Sequence, residues 1–146
     1  MPKFEREVEI DASVEKVWEM ITKPEFWPQW FPGIESVANV SAIQEGGTFE
    51  WTHEGQTGHG TIVAMKPHKR LEVMTQLGDD KDAHVFKLRA TGGFLGLAKD
   101  ECKVEYTLDT LMGGGLLGSF VAGGNPKDAI RVKKAVHMLR KVVESQ

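Results

Sequence analysis

The sequence predicts an α+β fold in which a curved, seven-stranded antiparallel sheet, two short helices and a long C-terminal helix enclose a cavity, in the order β-α-α-β6-α. Three observations predict it. Apolar and polar residues alternate near the N-terminus and again from Ile34 to Thr110, the period of half-buried strands. Short, turn-like separators divide that second region, which favours hairpins and an antiparallel meander. From Val132 to Val143 the apolar spacing lengthens to that of an amphipathic helix.

The elements follow in order. In FEREVEI, Phe4, Val8 and Ile10 share one parity and three glutamates the other, which predicts a first strand. Asp11 and Ser13 are cap residues for a helix carrying Val14, Val17, Trp18 and Ile21 on one face. Pro24 ends it and opens a second short helix, Pro24 to about Trp30. This helix and the turn after it carry EFWPQWFPG, with Phe26, Trp27, Trp30 and Phe31 among its nine residues. Helical spacing makes consecutive rings diverge, so the stretch reads as core rather than an aromatic cage. Trp18, Trp27 and Phe31 are expected to wedge the helices on the sheet, and Trp30 to reach the cavity. Six strands are then expected at Ile34–Ile43, Thr48–His53, Thr57–Met65, Leu71–Leu77, Ala83–Ala90 and Glu101–Thr110. The last helix starts near Pro126, with Asn125 as its cap, and puts Arg131, Lys133, Lys134, His137, Arg140 and Lys141 opposite its apolar face. One helix across a wide curved sheet leaves a hollow along its flank.

At 146 residues the chain has the length of one domain, 1–146, able to bury a core without a metal or disulfide staple. A net charge of −3 with no dense basic block argues against nucleic-acid binding. Cys102, the single cysteine, excludes an intrachain disulfide and a cysteine-based zinc cluster. The charged N-terminus lacks a signal-peptide core, and Leu111–Gly124, with six glycines, is too short to span a bilayer, so a cytoplasmic location is expected.

The strand parities name the cavity contents. Ligand-binding residues are expected to be Trp30, Phe49, Trp51, His59, Thr61, Val63, Val73, His84, Phe86, Leu88, Val104, Tyr106, Leu108, Phe120 and Leu139, an apolar lining with a few polar groups. The same composition suits an ordinary core. His53, Glu54 and His59 flank one hairpin, but without a third well-placed ligand or a zinc-protease spacing they read as hairpin residues, and no metal or cofactor is expected. His84 and Tyr106 are the candidates for acid–base catalysis if both face inward, imidazole taking a proton from carbon while phenol donates to the enolate. Their alternative role is as hydrogen-bonded polar residues within the sheet. Gly113, Gly115 and Gly118 formally spell a dinucleotide fingerprint, but they lack the strand–turn–helix–strand context it requires. The apolar, glycine-rich segment around them is expected to gate the cavity.

The chain resembles helix-grip proteins of the START-like (SRPBCC) superfamily, in particular bacterial polyketide cyclase/dehydrase and lipid-transport proteins. IDASVEKVWEMI, PEFWPQWFPGI, GGTFEW, the GxGxI at Gly58–Ile62, PHKRL and GGGLLG before a basic helix carry the resemblance in order along nearly the whole chain. It implies a cavity for a hydrophobic small molecule such as a lipid, an isoprenoid quinone or a polyketide-like aromatic; the protein is expected to be a carrier or sensor of it, as a monomer or weak homodimer. The fold also hosts cyclases and dehydratases, and chaperone-associated proteins of the Aha1 type, and does not choose among them.

Overall fold

A computed structural model describes residues 3–91, 101–111 and 126–146. Strand β1 (Lys3–Ile10) leads to helix α1 (Val14–Thr22), a 3₁₀ turn (Pro24–Phe26) and helix α2 (Trp27–Trp30). The strands β2 (Ser36–Ala38), β3 (Thr48–His53), β4 (Gln56–Lys66), β5 (Arg70–Leu77), β6 (Asp80–Ala90) and β7 (Cys102–Leu111) follow, then helix α3 (Pro126–Glu144). All pair antiparallel in the order β1-β7-β6-β5-β4-β3-β2, so the meander runs from β2 to β7 and the N-terminal strand joins its far side. The expected gate, Phe120 and Asn125 lie outside the described residues.

Turn chemistry sets the register. Glu54 and Gly55 both take positive φ, +48° and +79°, and close β3 onto β4 with His53 opposite Gln56. Gly78, at φ +61°, closes β5 onto β6, and this tight hairpin starts β6 at Asp80 rather than at Ala83. Strand β2 is three residues long instead of ten because Asn39 takes φ +52° and its amide bonds Glu50, turning the chain out of the ladder.

The sequence-derived parity of β4 is corrected by a β-bulge. Ile62 pairs with Val73 and Ala64 with Glu72, leaving Val63 as the extra residue. The inward parity expected of His59, Thr61 and Val63 is therefore wrong by one residue. Gly58, Gly60 and Ile62 face the core, His59 and Val63 are exposed, and Thr61 is half-buried on the outer parity. Val63 is 50% exposed.

Helix α1 starts where Ser13 Oγ accepts from the Lys16 amide at 3.2 Å. Ser13→Ala should destabilise the protein by about 1 kcal/mol. A lower urea midpoint at unchanged m-value is the expected readout, and an unchanged midpoint would deny the cap its role. The predicted apolar face of α3 is buried as drawn, with Val132, Ala135, Val136, Leu139 and Val143 against β1, β7 and the short helices.

Candidate functional site

The concave face is filled by rings rather than hollow along its length. Trp27 lies at the centre, stacked on Phe31 at 5.0 Å between centroids and edge-on to Phe49, His84 and Phe86. Its indole N–H donates to the Ile21 carbonyl at 2.9 Å, and that of Trp30 to Met20 at 3.4 Å, so both buried donors are satisfied within the α1–α2 corner. Phe86 and Tyr106, directly opposite across β6 and β7, stack at 4.6 Å and 5°. Trp30, Phe49, Val73, Phe86, Leu88, Val104, Leu108 and Leu139 are packed into this core.

Space opens at the end of the sheet where β3 and β5 finish and β6 begins. A cleft of about 300 Å³ lies there. Phe31, Pro32, Gly33 and Ile34 form one wall, and Trp51 and His53 of β3 another. Thr75 and Leu77 of β5 lie opposite, with Asp80 and Asp82 of β6 and Arg131 from the first turns of α3 at the polar end. Gly33 adopts φ +91°, which reverses the chain after Pro32, and its carbonyl accepts from His53 Nδ1 at 2.8 Å. That bond fastens the turn to β3.

Of the expected ligand-binding residues, Trp51 alone lines this cleft among the described residues. Trp30 is buried in the core, and Phe31, besides packing on Trp27 as expected, takes the cleft-facing part expected of Trp30. Helix α2 ends at Trp30, and Phe31 is already extended (φ −91°, ψ 113°), so its ring leaves the helical face and forms the cleft wall. His53 and His59 lie on opposite faces of their hairpin, because Trp51 and Gly58 pair inward while Glu50 and His59 pair outward.

His84 and Tyr106 do face inward, and they touch. Thr75, His84 and Tyr106 occupy a diagonal across β5, β6 and β7, within reach of long side chains. Thr75 Oγ1 lies 2.8 Å from His84 Nε2, and His84 Nδ1 lies 2.7 Å from the Tyr106 hydroxyl. Both ring nitrogens are thus engaged by protein. Burial, aided by the Arg131 charge, holds the His84 pKa down at about 3, so the imidazole is neutral. Burial also pushes the Tyr106 phenol well above its ordinary range, against the opposing pull of Arg131. Phe31, which lines the cleft, stands edge-on to the imidazole at 5.1 Å, while His84 and Tyr106 do not line it.

Arg131 bonds Asp82 Oδ2 at 2.8 Å and lies 3.5 Å from Asp128 Oδ1. Burial works most strongly against its charge, but Asp82, Tyr106 and Asp128 together outweigh burial and the guanidinium is held more firmly protonated than usual. No sequence signal marked this triad, whose members are 46 and 49 residues apart between β6 and α3. Burial pushes the Cys102 thiol up to about 11, which leaves it unreactive. Among the described residues no helix is long and apolar enough to cross a membrane.

Solved structures share the fold at low sequence identity. A structural-genomics protein from Deinococcus radiodurans superposes with TM-score 0.68 at 13% identity, over 98% of each chain. XoxI from Bacillus cereus gives 0.68 at 14%, over 98% of this chain and 96% of that one. An Aha1 protein from Colwellia psychrerythraea, a dimer in solution, gives 0.66 at 14%, over 99% and 97%. No curated protein matches the chain by sequence. The family described as polyketide cyclase/dehydrase and lipid transport matches residues 1–144, and the chain belongs to it.

Proposed function

We propose that this protein is a non-catalytic carrier or sensor that binds one compact hydrophobic molecule in the cleft beside Phe31 and Trp51. The observation that carries this reading is a division of labour. The cleft has aromatic and aliphatic walls with a few polar groups at one end, the make-up of a ligand site. The acid–base candidates do not line the cleft, and both imidazole nitrogens are bonded to protein. A neutral imidazole so occupied is a poor general base for a ligand it does not touch. At about 300 Å³ the cleft lies at the lower end of ligand-pocket sizes, which favours a bicyclic aromatic or a quinone head over a lipid with two chains.

The test is native mass spectrometry of the purified protein, then titration with a panel of lipids, quinones and polyketide-like aromatics. One ligand per chain is expected, and Leu77→Trp, which fills the cleft from β5, should abolish binding while leaving the circular-dichroism spectrum unchanged. Binding that persists in Leu77→Trp would place the ligand elsewhere, and failure of the whole panel would end the reading. Turnover that His84→Phe and Tyr106→Phe both remove would replace it with a cyclase or dehydratase. Chaperone stimulation retained in Leu77→Trp would replace it with a surface role.

A further inference from the structure

The cleft has a polar end whose hydrogen-bond direction can be worked out from its partners. Thr75, 4% exposed, lines the cleft and is bonded on its inner side to His84 Nε2. His84 Nδ1 meets Tyr106, and the Arg131 guanidinium lies beside the Tyr106 phenol. A neutral imidazole carries one N–H, so the line has only two arrangements. With the hydrogen on Nδ1, Thr75 donates inward and offers the cleft lone pairs. With the hydrogen on Nε2, Tyr106 donates to Nδ1, Nε2–H donates to Thr75, and the Thr75 O–H is left for the cleft.

Two facts select the second arrangement. A guanidinium has donors and no acceptor, so the phenol oxygen turns its lone pairs towards Arg131 and its O–H away, towards Nδ1. A phenol is also the stronger acid of the two hydroxyls, so the better match for the imidazole lone pair is Tyr106 rather than Thr75. Arg131 itself lines the cleft and keeps a buried Nε–H without a hydrogen-bond partner among the described residues. Asp82 and Asp128 pair with the Arg131 guanidinium and Asp80 also lines the cleft, so the polar end offers donors without a net positive charge.

We propose that Arg131, Tyr106, His84 and Thr75 form a one-directional hydrogen-bond line that makes the Thr75 hydroxyl a donor to the ligand, selecting neutral aromatic compounds that carry a ketone or quinone oxygen. This rests on the cleft-binding reading above and adds the ligand's chemistry to it. Phe31 and Trp51 flank the flat body of such a compound, and its carbonyl oxygen accepts from Thr75. A carboxylate of the same shape is repelled by the aspartates, and a hydroxyl competes to donate where a donor already stands.

Four probes of one shape test it by titration: 1-tetralone, naphthalene, 1-naphthol and 1-naphthoate. For the wild-type protein 1-tetralone should bind about tenfold more tightly than naphthalene, the value of one net hydrogen bond. Thr75→Val should remove that advantage and leave naphthalene unchanged, and Thr75→Ser should restore it. Equal binding of 1-tetralone and naphthalene by the wild type overturns the donor assignment while the cleft reading stands. Preference for 1-naphthol or 1-naphthoate overturns it too, the former by reversing the line and the latter by denying neutrality. Failure of all four to bind removes both. An independent measurement needs no ligand or variant fold: long-range ¹H–¹⁵N spectra of the wild type, with His84 assigned, should show the Nε2–H tautomer, and the Nδ1–H tautomer overturns the inference.

Discussion

Acidification from pH 6.5 down to about 3 should destabilise this protein with the uptake of one extra proton traceable to His84. The imidazole is 1% exposed, lies edge-on to Trp27 and Phe31, and has both nitrogens bonded. Protonation would need a second N–H donated to Tyr106 beside the Arg131 cation. In the unfolded chain His84 takes up a proton near pH 6.5, whereas in the folded chain it resists until about 3. Between those values the unfolded state holds more protons, so stability rises with pH in this window. The contribution is fully present above 6.5 and lost as pH falls through the window. A shift of this size is worth on the order of 4–5 kcal/mol. That is a large part of the roughly 5–15 kcal/mol that holds a typical domain folded.

Asp128 pulls the other way, because burial raises its carboxyl pKa despite Arg131, so folding there favours the protonated acid. The wild-type curve therefore mixes the two. His84→Gln isolates the histidine. It should cost about 1–3 kcal/mol at neutral pH, since an amide cannot satisfy both Thr75 and Tyr106. Its urea stability should then fall less steeply than that of the wild type below pH 6.5. Parallel curves for the two proteins would show that His84 takes up its proton in the folded state without penalty.

The architecture was legible because each element repeats one signal several times. Alternation in β1, helical spacing in α3 and glycine at the hairpin corners all agree, and antiparallel pairing follows from short connections. The interior was legible less evenly. The bulge at Val63 leaves no mark in the alternation, because Thr61, Val63 and Met65 look like one face until Val73 is known to pair with Ile62. The part played by Phe31 depends on one backbone torsion: helical spacing groups it with Trp27 and Trp30, and the chain leaves the helix just there. His84 and Tyr106 were found from parity, since a strand's two faces are fixed once one residue is placed. Thr75, Asp82 and Arg131 were not found as a group, since a diagonal across two ladders and a helix crossing above it depend on register and docking. Local pattern specifies faces, and the site is made where three faces meet.

Alanine at Gly60 should destabilise the protein, reversing the usual effect of replacing a strand glycine. Alanine in place of glycine normally restricts the unfolded chain and stabilises by up to about 1 kcal/mol. Here a β-carbon would come within 2.5 Å of Phe49 Cε1 and Cε2 and overlap the ring between them. Phe49 has little room to retreat, since it is 2% exposed and packed edge-to-face with Trp27 at 5.6 Å. Overpacking of this kind costs about 1–3 kcal/mol, and in a chain of this length each kcal/mol lowers the melting temperature by roughly 2–4 °C. Removing the obstructing ring is the control. Phe49→Leu leaves room for the new methyl, so Gly60→Ala with Phe49→Leu should be more stable than the two single losses added together. Strict additivity would mean that the glycine is not there to admit the ring. Gly58 has the same relation to Trp51, whose Cε2 would lie 2.5 Å from a β-carbon at Gly58. The indole bridges to the His59 carbonyl at 3.1 Å and lines the cleft, so Gly58→Ala would press it towards the ligand space. Gly60→Ala should therefore lower stability and spare ligand affinity in the folded fraction, while Gly58→Ala lowers both. Loss of affinity in Gly60→Ala as well would mean that the core and the cleft move as one.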